Sequence, residues 1–226
     1  GSLTYFFIKE GENEVSEKFA FANIGKVLKM PAVWVLTIIL CASYTMNMSF
    51  YYFTPYSTSV FGATAVVGAA LTMLAQYIRP FASPIAGFIG DRIGCSKVLL
   101  IGFLAMIAGT AVVILTPGKA SFIPVLVVGC VIIYIAMYGN YGVVLSLMEE
   151  GGIPVALSGT AIGVISTLGY LPEVFVPIAA GRTFDSFGGA AGYRYYFIGV
   201  MVFLIVGFAA TLVWSKKIAK NRKCAA

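Results

Sequence analysis

Pro84-Ile85-Ala86-Gly87-Phe88-Ile89-Gly90-Asp91-Arg92-Ile93-Gly94-Cys95-Ser96-Lys97 is the stretch whose reading decides the fold. It carries Asp91, Arg92 and Lys97 within a few residues, and Gly94 supplies a backbone free to turn tightly. On either side lie apolar runs, residues 64–89 before it and 98–116 after it. A bilayer core about 30 Å thick needs roughly 20 mostly apolar helical residues, and both runs meet that length. The stretch is therefore a short charged hairpin joining two membrane helices.

Four more runs of the same kind follow outward: 32–53, 121–148, 155–180 and 195–214, separated by short joints rich in Gly, Pro or charge. Composition agrees. Of 226 residues, 60% are hydrophobic and 11% charged, against about 25% charged in soluble domains, and the mean hydropathy is +0.94. The expected fold class is an all-α, polytopic bundle of six transmembrane helices. Residues 1–31 read as a linker, 32–215 as the membrane domain and 216–226 as a basic tail.

A net charge of +6 could suggest nucleic acid, but basic membrane proteins gather Lys and Arg on their cytoplasmic side. One face collects Lys18, Lys26, Lys29, Arg92, Lys97 and the tail Lys216, Lys217, Lys220, Arg222 and Lys223, whereas the other holds Lys119, Arg182 and Arg194. The first face is expected to be cytoplasmic, with both termini on it and no nucleic-acid partner. Phe19, Ala20, Ile24, Val27 and Leu28, with lysines between them, suit either a short amphipathic helix on the membrane surface or an ordinary linker. Leu3 to Ile8 reads as the tail of an earlier membrane helix. The four cysteines stand far apart and histidine is absent, so neither a disulfide framework, a metal site nor any cofactor is expected.

The stretch at 84–97 resembles the G-x-x-x-D-R-x-G-R-K loop of the major facilitator superfamily, in its second copy, between helices eight and nine. Gly87 would allow close helix approach, Asp91 would face a neighbouring helix amino terminus, and Arg92, Gly94 and Lys97 complete the gating loop. Cys95 and Ser96 replace the usual basic pair, which leaves Lys97 as the nearest substitute. Two further stretches are similar to loops of the same family: Glu149-Glu150-Gly151-Gly152-Ile153-Pro154 with Ser158-Gly159-Thr160-Ala161, and Gly181-Arg182-Thr183-Phe184-Asp185-Ser186-Phe187-Gly188. The resemblance implies that the chain is the carboxyl-terminal half, helices seven to twelve, of a secondary transporter. It also implies an amino-terminal six-helix partner, a small-molecule substrate between the halves and a coupling ion, proton or sodium. Self-assembly into a homo-oligomer is the alternative partner.

Away from the span ends, the ionisable groups are Arg79 in the second run and Glu173 in the fifth. At a helix centre each costs about 2.5–3.5 kcal/mol on insertion scales, so each must face protein or water. Arg79 stands 12 residues before Asp91, about 18 Å along a helix, and its planar guanidinium suits a carboxylate, phosphate, sulfonate or nitrate. It could instead pair with a carboxylate of the partner half. Nitrate porters of the superfamily carry an Arg-Pro-x-Gly-Gly pattern about one helical turn nearer the loop, and that departure points to a different, larger anion. Glu173 either carries a coupling proton or holds a structural hydrogen bond.

Tyr44, Asn47 and Tyr51 follow i, i+3, i+7 spacing on the first run, and Gln76, Tyr138, Asn140 and Tyr141 add polar groups on the second and fourth. The candidate substrate-binding set is thus Arg79, Tyr44, Asn47, Tyr51, Gln76, Asn140 and Tyr141. The function expected is secondary active transport of a small anionic metabolite, by symport or antiport. A carrier of sugars or neutral metabolites, and a membrane sensor or scaffold without turnover, remain the alternatives. The spans hold no Ser/His/Asp set and no paired carboxylates, so an enzyme is not expected.

Overall fold

The fold is described from a computed structural model covering residues 17–218. Leu3 to Ile8 and the tail residues Lys220, Arg222, Lys223 and Cys224 lie outside the described residues. The regular elements of the described residues are all helical: α1 (Glu17–Leu28), α2 (Pro31–Ser49), a 3-10 turn (Phe50–Tyr52), α3 (Phe53–Phe61), α4 (Ala65–Ile93), α5 (Cys95–Leu115), a second 3-10 turn (Ala120–Phe122), α6 (Ile123–Val143), α7 (Leu147–Glu150), α8 (Val155–Gly169), α9 (Pro172–Phe187), α10 (Gly189–Val213) and a π-helical turn (Trp214–Ile218). Six stretches are long and apolar enough to cross a bilayer: Pro31–Phe61, Ala65–Ile93, Cys95–Leu115, Ala120–Val143, Val155–Phe187 and Gly189–Ile218.

Local chemistry sets the breaks. Pro31 opens α2 at its first turn, where a missing N–H costs nothing. Gly62, at φ 67°, ends α3, and the Thr64 side chain caps α4 by accepting from the Val67 N–H. Gly94, at φ 96°, is the whole connection between α4 and α5, a conformation that residues with a Cβ rarely adopt. The fifth span is interrupted: α8 stops at Gly169, Tyr170 and Leu171 form a turn, and Pro172 starts α9.

Several helices run further than the apolar pattern suggests. The first span continues to Phe61 rather than stopping near residue 53: the 3-10 turn at Phe50–Tyr52 tightens the backbone without reversing it, and Thr54, Ser57 and Thr58 return their hydroxyls to the helix or to its neighbour until Gly62 ends it. The last begins at Gly189, where the left-handed turn at Gly188 and Gly189 ends, not at the first aromatic residue. The fourth closes at Val143, short of Met148, as the chain turns into α7.

Helix α6 is the hub, packed against both α4 and α5, while α10 packs on α2 and α5, and α8 on α2. Small residues make these approaches close. A Cβ at Gly142 would collide with the Ser83 hydroxyl and lie 3.0 Å from the Ser83 carbonyl oxygen, and one at Gly109 would lie 3.1 Å from the Gly129 carbonyl oxygen. Such contacts matter in lipid, where helices associate by van der Waals fit rather than by the hydrophobic effect. Among the described residues a Cβ at Gly87 meets nothing within 4 Å, so the close approach expected there is not made within these six helices. The tight packing in this segment belongs to Gly90, against Cys95 and Val143.

Gly142→Val is therefore expected to push α4 from α6 and to cost about 1–3 kcal/mol by overpacking. The check is a lowered unfolding midpoint in detergent relative to Gly199→Ala, a position where an added Cβ meets nothing. Equal midpoints for the two variants would contradict the packing at Gly142.

Candidate substrate-binding wall

Helices α2, α4, α6 and the broken α8/α9 span bring the polar groups together. Tyr44, on α2, donates its hydroxyl to Oε1 of Glu173 at 2.7 Å. Glu173 stands in the first turn of α9, immediately after Pro172, so the helix break is what aims this carboxylate. The hydroxyls of Tyr141, on α6, and Tyr170, in the break itself, share a hydrogen bond of 2.7 Å. The rings of Tyr44 and Tyr170 lie 4.6 Å apart, and that of Tyr141 lies 6.3 Å from Tyr44. Three tyrosines and a carboxylate thus form one continuous patch.

Arg79 adjoins it through α6. Its guanidinium carbon sits 5.8 Å from the centre of the Tyr138 ring, within the range of a cation–π contact. Tyr141 lies within electrostatic reach of both Arg79 and Glu173. Arg79 and Glu173 are exposed on the bundle surface, whereas Tyr138 is 3% exposed. Among the described residues the Arg79 guanidinium has no carboxylate partner, and its described contact is this ring.

The remaining candidates divide. Asn47 is half-buried on the Tyr44 face of α2, and Gln76 is exposed one turn before Arg79. Tyr51 falls in the 3-10 turn rather than in α2, packs on Phe50 at 4.0 Å and is 52% exposed, so it leaves the helical register that the i, i+7 spacing assumes. Asn140 does not join Tyr141. It is 1% exposed, lies against Gly102 of α5, and neither its Oδ1 nor its Nδ2 has a partner among the described residues. One position from Tyr141 on a helix is a rotation of about 100°, which carries Asn140 to the α5 side of α6. Helical spacing does not bring out Tyr170 as a site residue, although its place two residues before Pro172 is a signal that the backbone turns there.

At the charged hairpin, Arg92 lies over the Phe88 ring at 4.4 Å, while Asp91 and Lys97 are exposed. Ser96 donates its hydroxyl to Glu150 at 2.5 Å. A neutral hydroxyl, at one of the positions where the resembled loop has a basic pair, ties α5 to α7. Among the described residues no group of three or more His, Cys, Asp or Glu side chains is placed to hold a metal.

Comparison with known proteins resolves the family. Residues 2–177 match the family described as Major Facilitator Superfamily. The chain belongs to that superfamily. Membership makes it part of a multi-pass membrane transporter fold rather than an enzyme. It is similar to Inner membrane protein YqcE of Escherichia coli (strain K12), at 23% identity over 96% of this chain and 54% of that protein. It is also similar to Inner membrane protein YihN of the same strain, at 24% identity over 99% of this chain and 55% of that protein. Probable nitrate transporter NarT of Staphylococcus haemolyticus (strain JCSC1435) is 27% identical over 67% of the chain and 38% of its own length. The chain spans about half the length of the first two of these relatives.

Proposed function

We propose that this chain is the carboxyl-terminal, six-helix half of a secondary active transporter that carries a small anionic metabolite by alternating access. The observation that carries the reading is Arg79: an exposed, permanently charged guanidinium inside a membrane span, without a carboxylate partner among the described residues and facing the same tyrosine wall as Glu173. Burying such a group in lipid is costly, so it belongs to a cavity that an anion enters. The name of the NarT relative supports anion transport, although nitrate is said of that protein alone.

In this reading a second six-helix half completes the cavity, and rocking of one half on the other exchanges access. Tyr44, Asn47, Gln76 and Tyr141 line the substrate path with Arg79, Glu173 takes the coupling proton, and the hairpin from Gly87 to Lys97 works as the gating loop. The tie between Ser96 and Glu150 would hold α5 to α7 as that loop moves. Lys26, Lys29, Arg92, Lys97, Lys216 and Lys217 mark the cytoplasmic side, in keeping with the inner-membrane names of two relatives. Residues 32–215 then form the membrane domain. Helix α1, with Val27 buried and α8 beneath it, is the cytoplasmic lead-in.

The test is reconstitution of the full-length protein carrying this chain into proteoliposomes, with uptake of a panel of anions and neutral sugars measured with and without a pH gradient. Accumulation of an anion that depends on the gradient is expected. Binding without flux would replace transport by a sensor role, and flux of neutral sugars alone would overturn the anion reading.

A further inference from the structure

We infer that the substrate is a hydroxylated organic anion, held by its charge at Arg79 and by its hydrogen-bond donors at Glu173, rather than a bare oxyanion. This rests on the anion-transport reading above and deepens it. Hydrogen-bond donors and acceptors on the wall are unequal in number. Tyr44 gives its one hydroxyl proton to Glu173, and Tyr141 and Tyr170 spend one proton on each other. Of the protons on these three phenols, one is left uncommitted. Against it stand the second carboxylate oxygen of Glu173, which accepts no hydrogen bond among the described residues, and the unused lone pairs of the phenols.

This end of the wall is therefore rich in acceptors and poor in donors. A compact anion such as nitrate or acetate brings acceptors only, and it would meet a carboxylate that repels it. A ligand carrying hydroxyl groups fits both requirements. Its anionic group takes the forked guanidinium of Arg79, and its hydroxyls donate to Glu173 and to phenol oxygens. The Tyr44 and Tyr170 rings, 4.6 Å apart, add apolar faces suited to the C–H surface of a carbon chain or ring.

The experiment is titration of the purified full-length protein with gluconate, acetate, nitrate and glucose, in wild type, Glu173→Ala and Arg79→Ala. Gluconate and acetate share a carboxylate and differ in hydroxyl groups, while glucose has the hydroxyls without the charge. Gluconate is expected to bind at least tenfold more tightly than acetate or nitrate, since hydrogen bonds to a charged group are worth roughly ten- to a hundredfold in affinity. Glu173→Ala should bring the gluconate-to-acetate ratio towards one. Glu173→Gln, which preserves size and an oxygen for Tyr44, should fall between and guards against a folding artefact.

Acetate or nitrate binding as tightly as gluconate, or a ratio unmoved in both Glu173 variants, overturns the inference. If those simple anions bind in an Arg79-dependent way, the anion-transport reading survives while the inference falls. Glucose binding as tightly as gluconate, with no effect of Arg79→Ala, removes both.

Discussion

Arg79→Ala is expected to reduce anion flux by roughly hundredfold or more, with the protein still folded and inserted. A forked guanidinium makes two charge-assisted hydrogen bonds to an oxyanion, and each such bond contributes about 1.5–3 kcal/mol. Arg79→Lys keeps the charge but loses the planar fork, and little of the flux should return. Folding is not expected to suffer, because the side chain is exposed and its described contact is the face of Tyr138. Counterflow in proteoliposomes, normalised to the amount of reconstituted protein, checks both variants. Flux equal to wild type would return Arg79 to a structural role and promote the neutral-substrate alternative.

The second large effect concerns coupling. In Glu173→Gln, accumulation driven by a pH gradient should collapse to the level seen without a gradient, while counterflow at saturating substrate persists. The amide keeps an oxygen that can accept from Tyr44, so the contact across α2 and α9 survives. What it cannot do is gain and lose a proton in the accessible pH range. Imposing gradients of both polarities separates symport from antiport. Coupled accumulation unchanged in Glu173→Gln would remove the coupling role and leave this residue its hydrogen bonds.

Much of this protein is legible along the chain because the bilayer is so demanding a solvent. Backbone groups in hydrocarbon must bond internally, so apolar length alone announces the spans, and the Gly94 turn with its charges announces the hairpin between the second and third. The cost of an ionisable group in lipid makes Arg79 and Glu173 conspicuous from their place in apolar runs alone. What one-dimensional spacing does not convey is which neighbours those groups meet. Asn140 and Tyr141 are adjacent in sequence, yet one lies against Gly102 in the α5 contact and the other bonds to Tyr170 in the break of the fifth span. The spacing of Tyr51 from Tyr44 assumes an unbroken helix, and the 3-10 turn at Phe50–Tyr52 dissolves that relation.

By itself, then, the sequence determined the solvent, the number of crossings, the hairpin and the two charges that lipid would not tolerate, because each follows from local composition and the thickness of a membrane. The tertiary structure alone decided that Glu173 sits at the head of a broken helix with Tyr44 on its carboxylate, that Tyr170 joins the wall, that Asn140 leaves it, and that Gly142 rather than Gly87 is where two helices touch. Those outcomes depend on the rotation of each helix about its own axis and on one interrupted backbone ladder, and side chains from segments as far apart in sequence as Tyr44 and Glu173 settle both.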